Sequence, residues 1–190
     1  MYVDNNRGEI QFKIVYYGPG LGGKTTNLEY IHANIDSSLR SDLVSLKTRD
    51  ERTLYFDFMS LDLGVVQNHK PRFHLYTIPG QLHYSFSRKI ILQGSDAVVF
   101  VADSQPVRMN DNLETLLDLE QKLNEQNHTL ATFPWVLQYN KRDMANSMSI
   151  ESMQKKLNFL NIPFHQAVAV DGIGVFETLK TTIKLLVAKL

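Results

Sequence analysis

The chain has 190 residues, of which 43% are hydrophobic, and it contains no cysteine. This length and composition predict one domain over residues 1–190, with residues 1–9 as a short polar N-terminal arm. The 20 basic and 20 acidic residues cancel, which argues against nucleic acid as a partner. Without cysteine the chain cannot form disulfides, thiolate metal sites or cysteine-linked lipids, and Tyr2 excludes N-myristoylation.

The N-terminus lacks the apolar region of a secretory signal. No stretch approaches the roughly 18 apolar residues that a membrane-spanning helix requires. We therefore expect a cytoplasmic protein without a lipid anchor.

The first predicted strand, residues 11–17, runs into a glycine-rich loop. Residues 18–25, GPGLGGKT, match the phosphate-binding pattern G-x-x-x-x-G-K-[ST]. Glycines let backbone N–H groups approach an anion, and the N-terminus of the following helix adds the positive end of its dipole. The candidate nucleotide-binding residues of this loop are Gly18, Gly20, Gly22, Gly23, Lys24, Thr25 and Thr26.

Two side chains of the loop have distinct expected roles. Lys24 would reach the β- and γ-phosphates, and the Thr25 hydroxyl would ligate Mg²⁺. The alternative is a glycine-rich turn with no ligand, but a strand before it and a helix after it favour a phosphate site.

Strand and helix alternate along the rest of the chain. Strands are predicted at 54–58, 73–78, 97–102, 134–139 and 166–169, and helices at 85–92, 110–124, 149–160 and 175–189. This order predicts an α/β fold, a mostly parallel sheet of about six strands with helices on both faces. Ligands of such sheets bind outside the carboxyl ends of the strands.

A second motif follows the predicted strand at 134–139. Residues 140–143, NKRD, match N-K-x-D, a guanine-recognition signature. The Asp143 carboxylate can accept hydrogen bonds from the guanine N1–H and exocyclic amine, a donor pair that adenine lacks. Lys141 can lie along the face of the base, and Asn140 can brace two loops. The alternative is an ordinary polar turn that caps the next helix.

Nearly the whole chain resembles Ras-like small GTPases, and within them the bacterial MglA family. The resemblance is carried by the segments KIVYYGPGLGGKTTNLEYI, ERTLYFDF, FHLYTIPGQ, VVFVADSQ, QYNKRD and AVAVDGIGVFETLK. It implies a Ras-like fold, a GTP/GDP cycle with Mg²⁺ and control of cell polarity and motility. It also implies a GTP-bound form at a cell pole, a Roadblock-fold activator similar to MglB, and response-regulator-like polar effectors. We expect slow turnover without the activator and a monomer when free.

The resemblance also assigns the switch residues. Thr53 matches the threonine that ligates Mg²⁺ and contacts the γ-phosphate, and Gly80 matches the glycine whose N–H contacts that phosphate. Gln81 would orient the attacking water. Arg52 would supply a catalytic charge from within the chain, with Arg49 as a nearby competitor.

Position 77 departs from the Ras pattern D-x-x-G-Q, because residues 77–81 are TIPGQ. Thr77 replaces the aspartate that holds Mg²⁺ through water, and a threonine at this place is itself usual in the MglA family. Asp57, on a neighbouring strand, would either supply the lost charge or be an exposed strand carboxylate; the sequence leaves both open.

The last predicted nucleotide contact is the weakest match to a family pattern. Ala169 stands where Ras-like proteins carry the alanine of S-A-K, and its N–H would donate to the guanine O6. Val168 and Val170 depart from that pattern, so no side-chain contact is expected from either.

Together these features predict a GTP-hydrolysing molecular switch. Two alternatives remain from the sequence. One is a module that binds GTP without useful turnover, suggested by Thr77, and the other is an ATP-using enzyme, which the NKRD motif opposes.

Overall fold

The computed structural model describes residues 2–4, 9–45, 56–65, 70–80 and 85–188. The strands are β1 (Tyr2–Asp4), β2 (Glu9–Tyr17), β3 (Val44–Ser45), β4 (Asp57–Asp62), β5 (Lys70–Thr77), β6 (Ala97–Asp103), β7 (Trp135–Asn140) and β8 (Phe164–Gln166). The helices are α1 (Lys24–Asn34), α2 (Ser85–Leu92), α3 (Met109–Asn124), α4 (Ile150–Leu157) and α5 (Val175–Val187). Short 3-10 helices occupy Ser37–Leu39 and Pro106–Arg108.

All eight strands form one sheet in the order β3-β4-β5-β2-β6-β7-β8, with β1 also paired to β2. The pairs among β5, β2, β6, β7 and β8 are parallel, whereas β3, β4 and β1 pair in the antiparallel sense. The carboxyl ends of β2, β5, β6 and β7 therefore meet at one edge, where the loops that follow them can share a ligand.

Helices cover the sheet on both faces. Residues of α1 and α5 pack against one face, and residues of α2, α3 and α4 pack against the other. All seven residues of β6 are buried, because this strand lies between the two helical layers. No helix in the described part of the chain is long and apolar enough to cross a membrane.

The predicted α/β architecture, with a mostly parallel sheet between helices, is confirmed. The sheet contains β1 and β3 in addition to the predicted strands; at three and two residues, both are too short to show a periodic pattern. Part of the predicted polar arm is therefore a strand, and Tyr2 lies opposite Gln11 of β2.

Two predicted strands and one predicted helix end several residues away from their predicted positions. The strand predicted at 54–58 is described from Asp57 to Asp62, because its core-facing residues are the alternating ones that include Met59 and Leu61. Residues 54 and 55 lie outside the described residues. The strand predicted at 166–169 ends at Gln166, where the chain turns so that Val168 N–H can donate to Ile173 O.

Helix α4, predicted to reach residue 160, ends at Leu157. The Asn158 side chain terminates it by accepting from Ile162 N–H at 2.8 Å and donating to Ile162 O at 3.0 Å.

Candidate nucleotide-binding site

Strand β2 ends in the phosphate loop, whose backbone only glycine can follow at two positions. Gly18 has a φ of 138° and Gly23 a φ of 99°, both in the region that favours glycine. A Cβ at Gly18 would collide with the carbonyl oxygen of Val101, and one at Gly23 with the side-chain amide of Asn140. The loop thus packs closely against the ends of β6 and β7.

Lys24 opens α1 and is only 6% exposed. Its Nζ donates to Gly18 O at 3.0 Å and to Pro19 O at 2.7 Å. Burial, assisted by the charge of Arg88 and opposed by Asp57, lowers the pKa of Lys24 to about 7. A buried amine with no ion-pair partner among the described residues, inside a glycine cradle, fits the phosphates of a nucleotide.

Asp57 lies beside the Thr25 hydroxyl, and it is 7% exposed rather than an exposed strand carboxylate. Thr25 Oγ1 donates to Asp57 Oδ2 at 2.6 Å, and Thr77 Oγ1 donates to the same oxygen at 2.9 Å. Ser45 Oγ donates to Asp57 Oδ1 at 2.7 Å. The β4 and β5 strands bring Asp57 next to position 77, because Phe58 is opposite Tyr76 in their antiparallel register.

This donor set has the chemistry that Mg²⁺ requires. Mg²⁺ binds to oxygen, usually through one or two carboxylates together with substrate phosphates. Thr25 and Asp57 bring a hydroxyl and a carboxylate oxygen within 2.6 Å of each other at the mouth of the phosphate loop. The residues present therefore fit a magnesium ion bound beside a nucleotide.

Asn140 joins the phosphate loop to the loop after β8. Its Nδ2 donates to Gly22 O at 2.9 Å, and its Oδ1 accepts from Ala169 N–H at 2.9 Å. The asparagine is 2% exposed, so both hydrogen bonds are shielded from water. The Ala169 N–H is engaged by this contact, and donation to a guanine O6 would require a shared hydrogen bond.

Lys141 and Asp143 follow on the same loop. Lys141 Nζ lies 2.7 Å from Asp103 Oδ2, and Asp103 is completely buried at the end of β6. Asp143 is exposed. The lysine stem is therefore tethered at its tip, while the carboxylate expected to recognise guanine remains accessible to a ligand.

Gly80 lies directly against the phosphate loop. A Cβ there would collide with the backbone of Gly20 and come within 2.9 Å of Lys24 Nζ. A cleft of about 310 Å³ opens alongside, and its lining includes both glycines and Arg108. Arg108 donates to Gly20 O at 2.6 Å, so a second cation braces the phosphate loop.

The structure brings together the phosphate-loop residues, Gly80, Asn140, Lys141 and Ala169. Thr26 lies half-buried on the first turn of α1, and Asp143 lies exposed on the loop after β7. The remaining predicted site residues lie outside the described residues: Arg52, Thr53 and Gln81, with the competing Arg49.

Sequence reasoning missed Asp103 and Arg108. Asp103 carried a usable signal, because it ends a buried strand at the edge where ligands of parallel sheets bind. Arg108 carried none, since an arginine before a helix is ordinarily solvated and only the folded chain brings it to Gly20.

Comparison with known proteins agrees with this geometry. Residues 4–187 match the model of the ADP-ribosylation factor family. The chain is 52% identical over 189 residues to the mutual gliding-motility protein MglA of Myxococcus xanthus, covering 100% of this chain and 97% of that protein. It is 24% identical over 181 residues to human ADP-ribosylation factor-like protein 4A, covering 89% of this chain and 80% of that protein. The chain therefore belongs to the ADP-ribosylation factor family of Ras-like small GTPases, as an MglA-type member that binds guanine nucleotides and hydrolyses GTP.

Proposed function

We propose that this GTPase is a switch for cell polarity and gliding motility. The observation that carries the proposal is its 52% identity to a mutual gliding-motility protein, which spans both nucleotide motifs. Residues 1–190 would act as one cytoplasmic, monomeric domain whose GTP form gathers at a cell pole. Its partners would be a Roadblock-fold activator similar to MglB and response-regulator-like polar effectors.

The phosphate cradle of this switch would consist of the glycines at 18, 20, 22 and 23 together with Lys24, Thr25 and Thr26. Support comes from the left-handed backbone at Gly18 and Gly23, which a side chain could not follow. Lys24 now donates to the carbonyls of its own loop, and a phosphate would offer it a counter-ion instead.

The magnesium site would use Thr25 and Thr53 as direct ligands, with Asp57 as the nearby carboxylate. Support comes from the 2.6 Å hydrogen bond between Thr25 and Asp57, which brings a negative charge to the place where Thr77 offers none. When bound, Mg²⁺ would neutralise phosphate charge during transfer. Asp57 would act on it directly or through a coordinated water.

Guanine recognition would fall to the loop after β7 and the loop after β8. Asp143 would accept from the base, the Lys141 stem would cover one face of it, and Asn140 with Ala169 would hold the two loops together. Support comes from the buried hydrogen bonds of Asn140 and from the tether of Lys141 to Asp103. Adenine lacks the matching donor pair, so ATP would bind poorly.

Catalysis would depend on Gly80, Gln81 and Arg52. Gly80 N–H would contact the γ-phosphate, Gln81 would orient water, and Arg52 would stabilise charge in the transition state. An arginine in this role is worth on the order of 10³ to 10⁵ in rate. An activator then has only to hold these segments in place, which accounts for slow turnover in its absence.

The competing function, a GTP-binding module without turnover, rested on the neutral residue at position 77. The Asp57 carboxylate accepts hydrogen bonds from both Thr77 and Thr25, so a negative charge lies beside the neutral residue at position 77. This supports a GTPase with turnover over the binding module.

Localisation in the native host tests the proposal. The Gln81→Leu variant, which should remain in the GTP form, is expected to accumulate at a pole and bind polar partners more tightly than wild type. Asp171→Asn, an exposed carboxylate near the last loop, is the matched control and should behave as wild type. Identical localisation and partner binding of Gln81→Leu and wild type would contradict the proposed role.

A further inference from the structure

Arg88 on α2 is completely buried. Its Nε donates to Pro79 O at 2.9 Å, one terminal nitrogen donates to Gly80 O at 2.5 Å, and the other donates to Asp118 on α3 at 2.7 Å. Burying a guanidinium costs free energy unless its charge is paired and its N–H groups are hydrogen-bonded. A side chain held this way is rigid, and so are the groups that it binds.

The two carbonyls that Arg88 holds belong to consecutive peptide bonds. In a trans peptide the C=O and the N–H point in opposite directions, so an anchored Pro79 carbonyl fixes the direction of the Gly80 N–H. The Gly80 carbonyl belongs to the peptide that leads into Gln81. One buried side chain thus fixes the backbone carbonyls of Pro79 and Gly80, at the residue proposed to contact the γ-phosphate.

Asp118 is itself held from three sides. Tyr17 OH, Lys122 Nζ and Arg88 each donate to its carboxylate. Burial opposes ionisation, but these hydrogen bonds hold the pKa of Asp118 below its ordinary value. Lys122 also donates to Ser85 Oγ at 2.9 Å, at the start of α2. The ionised Asp118 carboxylate therefore links α2 to β2 and α3 through the hydrogen bonds that it accepts.

The anchored backbone faces the nucleotide site. A Cβ on Gly80 would meet Gly20 and approach Lys24 Nζ within 2.9 Å, so a small movement of Gly80 changes the space beside the phosphate loop. The Arg88 network therefore holds Gly80 where its backbone borders the phosphate loop.

We propose that Arg88 and Asp118 form a positioning pair that presents the Gly80 N–H to the γ-phosphate and so favours the triphosphate over the diphosphate. Arg88 acts through Gly80, whose carbonyl oxygen it binds. This inference rests on the proposed contact between Gly80 and the γ-phosphate. GDP lacks that phosphate, so its affinity should not depend on the pair.

Affinity for GDP and for a non-hydrolysable GTP analogue, measured with fluorescent nucleotides, tests the pair. Arg88→Lys and Asp118→Asn should each weaken analogue binding about tenfold or more while GDP affinity changes little, because a buried charge-assisted hydrogen bond is lost. The matched control is Lys89→Gln. Lys89 forms an exposed ion pair between α2 and Glu125, the residue that follows α3, and its removal should leave both affinities unchanged.

Each outcome has one meaning. Equal weakening of both nucleotides, or no change in the ratio of their affinities, would overturn the pair as a positioning device and leave it a purely structural contact. A second outcome concerns Gly80 itself. If Gly80→Ala also leaves the ratio of the analogue and GDP affinities unchanged, the proposed contact between Gly80 and the γ-phosphate fails instead. Tyr17→Phe removes one donor to Asp118 but keeps the ion pair, so it tests the same ratio with less risk to folding.

Discussion

Asp57 and Thr77 are hydrogen-bond partners in both directions across β4 and β5. The Asp57 N–H donates to Thr77 Oγ1 at 2.8 Å, and the Thr77 hydroxyl donates back to Asp57 Oδ2 at 2.9 Å. The carboxylate that Ras-like proteins carry at position 77 thus has a counterpart on the adjacent strand. Its oxygen also accepts from Thr25, so the negative charge lies within reach of the proposed metal.

Exchange of these two residues tests whether Asp57 supplies that charge. Asp57→Asn should weaken Mg²⁺-dependent nucleotide binding about tenfold, the range found when a residue that supports a metal site is lost. The double variant Asp57→Thr with Thr77→Asp keeps one carboxylate in the pair and should recover most of the loss. Nucleotide release rates with Mg²⁺ and with a chelator measure the effect.

The control for this exchange is Asp62→Asn, a half-buried carboxylate at the other end of the same strand that forms an ion pair with Arg72. It should not alter the release rate. If Asp57→Asn also releases nucleotide at the wild-type rate in Mg²⁺, the carboxylate has no part in metal binding.

Base choice should depend on Asp143. Asp143→Asn is expected to lower GTP affinity by about a hundredfold or more, because one of the two base donors would lose its acceptor oxygen and face an amide donor instead. The same variant should favour xanthosine triphosphate, whose C2 carbonyl can accept from the new amide. Competition between the two nucleotides is the measurement, and an unchanged preference for guanine would remove Asp143 from the base site.

The protein should take up a proton at Lys24 when it binds a nucleotide at pH 8. In the nucleotide-free protein the pKa of Lys24 is lowered to about 7, so the unfolded chain binds more protons than the folded one between that value and the ordinary 10.5. The stability of the free protein therefore rises with pH across this window. Phosphates restore the charge of Lys24 and raise its pKa, which draws a proton from the buffer.

Titration calorimetry in buffers of different ionisation enthalpy counts that proton. Lys24→Arg is the control, since arginine stays charged at every pH used and should show no uptake. Equal proton counts for the wild type and this variant would mean that Lys24 is already protonated in the free site.

Hydrolysis should depend on Arg52 and Gln81, although both lie outside the described residues. Arg52→Ala or Gln81→Leu should abolish activator-stimulated turnover, a loss on the order of 10³-fold or more, and leave GTP binding nearly intact. Arg49→Ala is the matched comparison and should retain stimulation. Stimulation that survives Arg52→Ala but disappears with an arginine of the activator would show that the catalytic charge comes from the partner.

The sequence predicted the parts of the fold that follow local patterns. The helix predicted at 85–92 is described over Ser85–Leu92, because its apolar spacing defines it locally. The position of β4 was missed, since its register depends on pairing with β5, and pairing between strands leaves no local signal. The same pairing decides the environment of Asp57, which the sequence left open.

The buried cations were harder to predict. Arg88 lies on a helix with an otherwise ordinary amphipathic pattern, and a charged residue there suggests solvent exposure. It is buried only because Asp118, 30 residues later, and two backbone carbonyls meet it in space. Such partners are identified by tertiary packing and not by spacing.

Phosphate release from GTP by the purified protein in Mg²⁺, with and without a Roadblock-fold activator from the same host, tests the central claim most directly. We expect slow release from GTP alone, strong acceleration by the activator and no comparable release from ATP. Equal release from ATP, or a rate that the activator leaves unchanged, would contradict a guanine-specific switch governed by its partner.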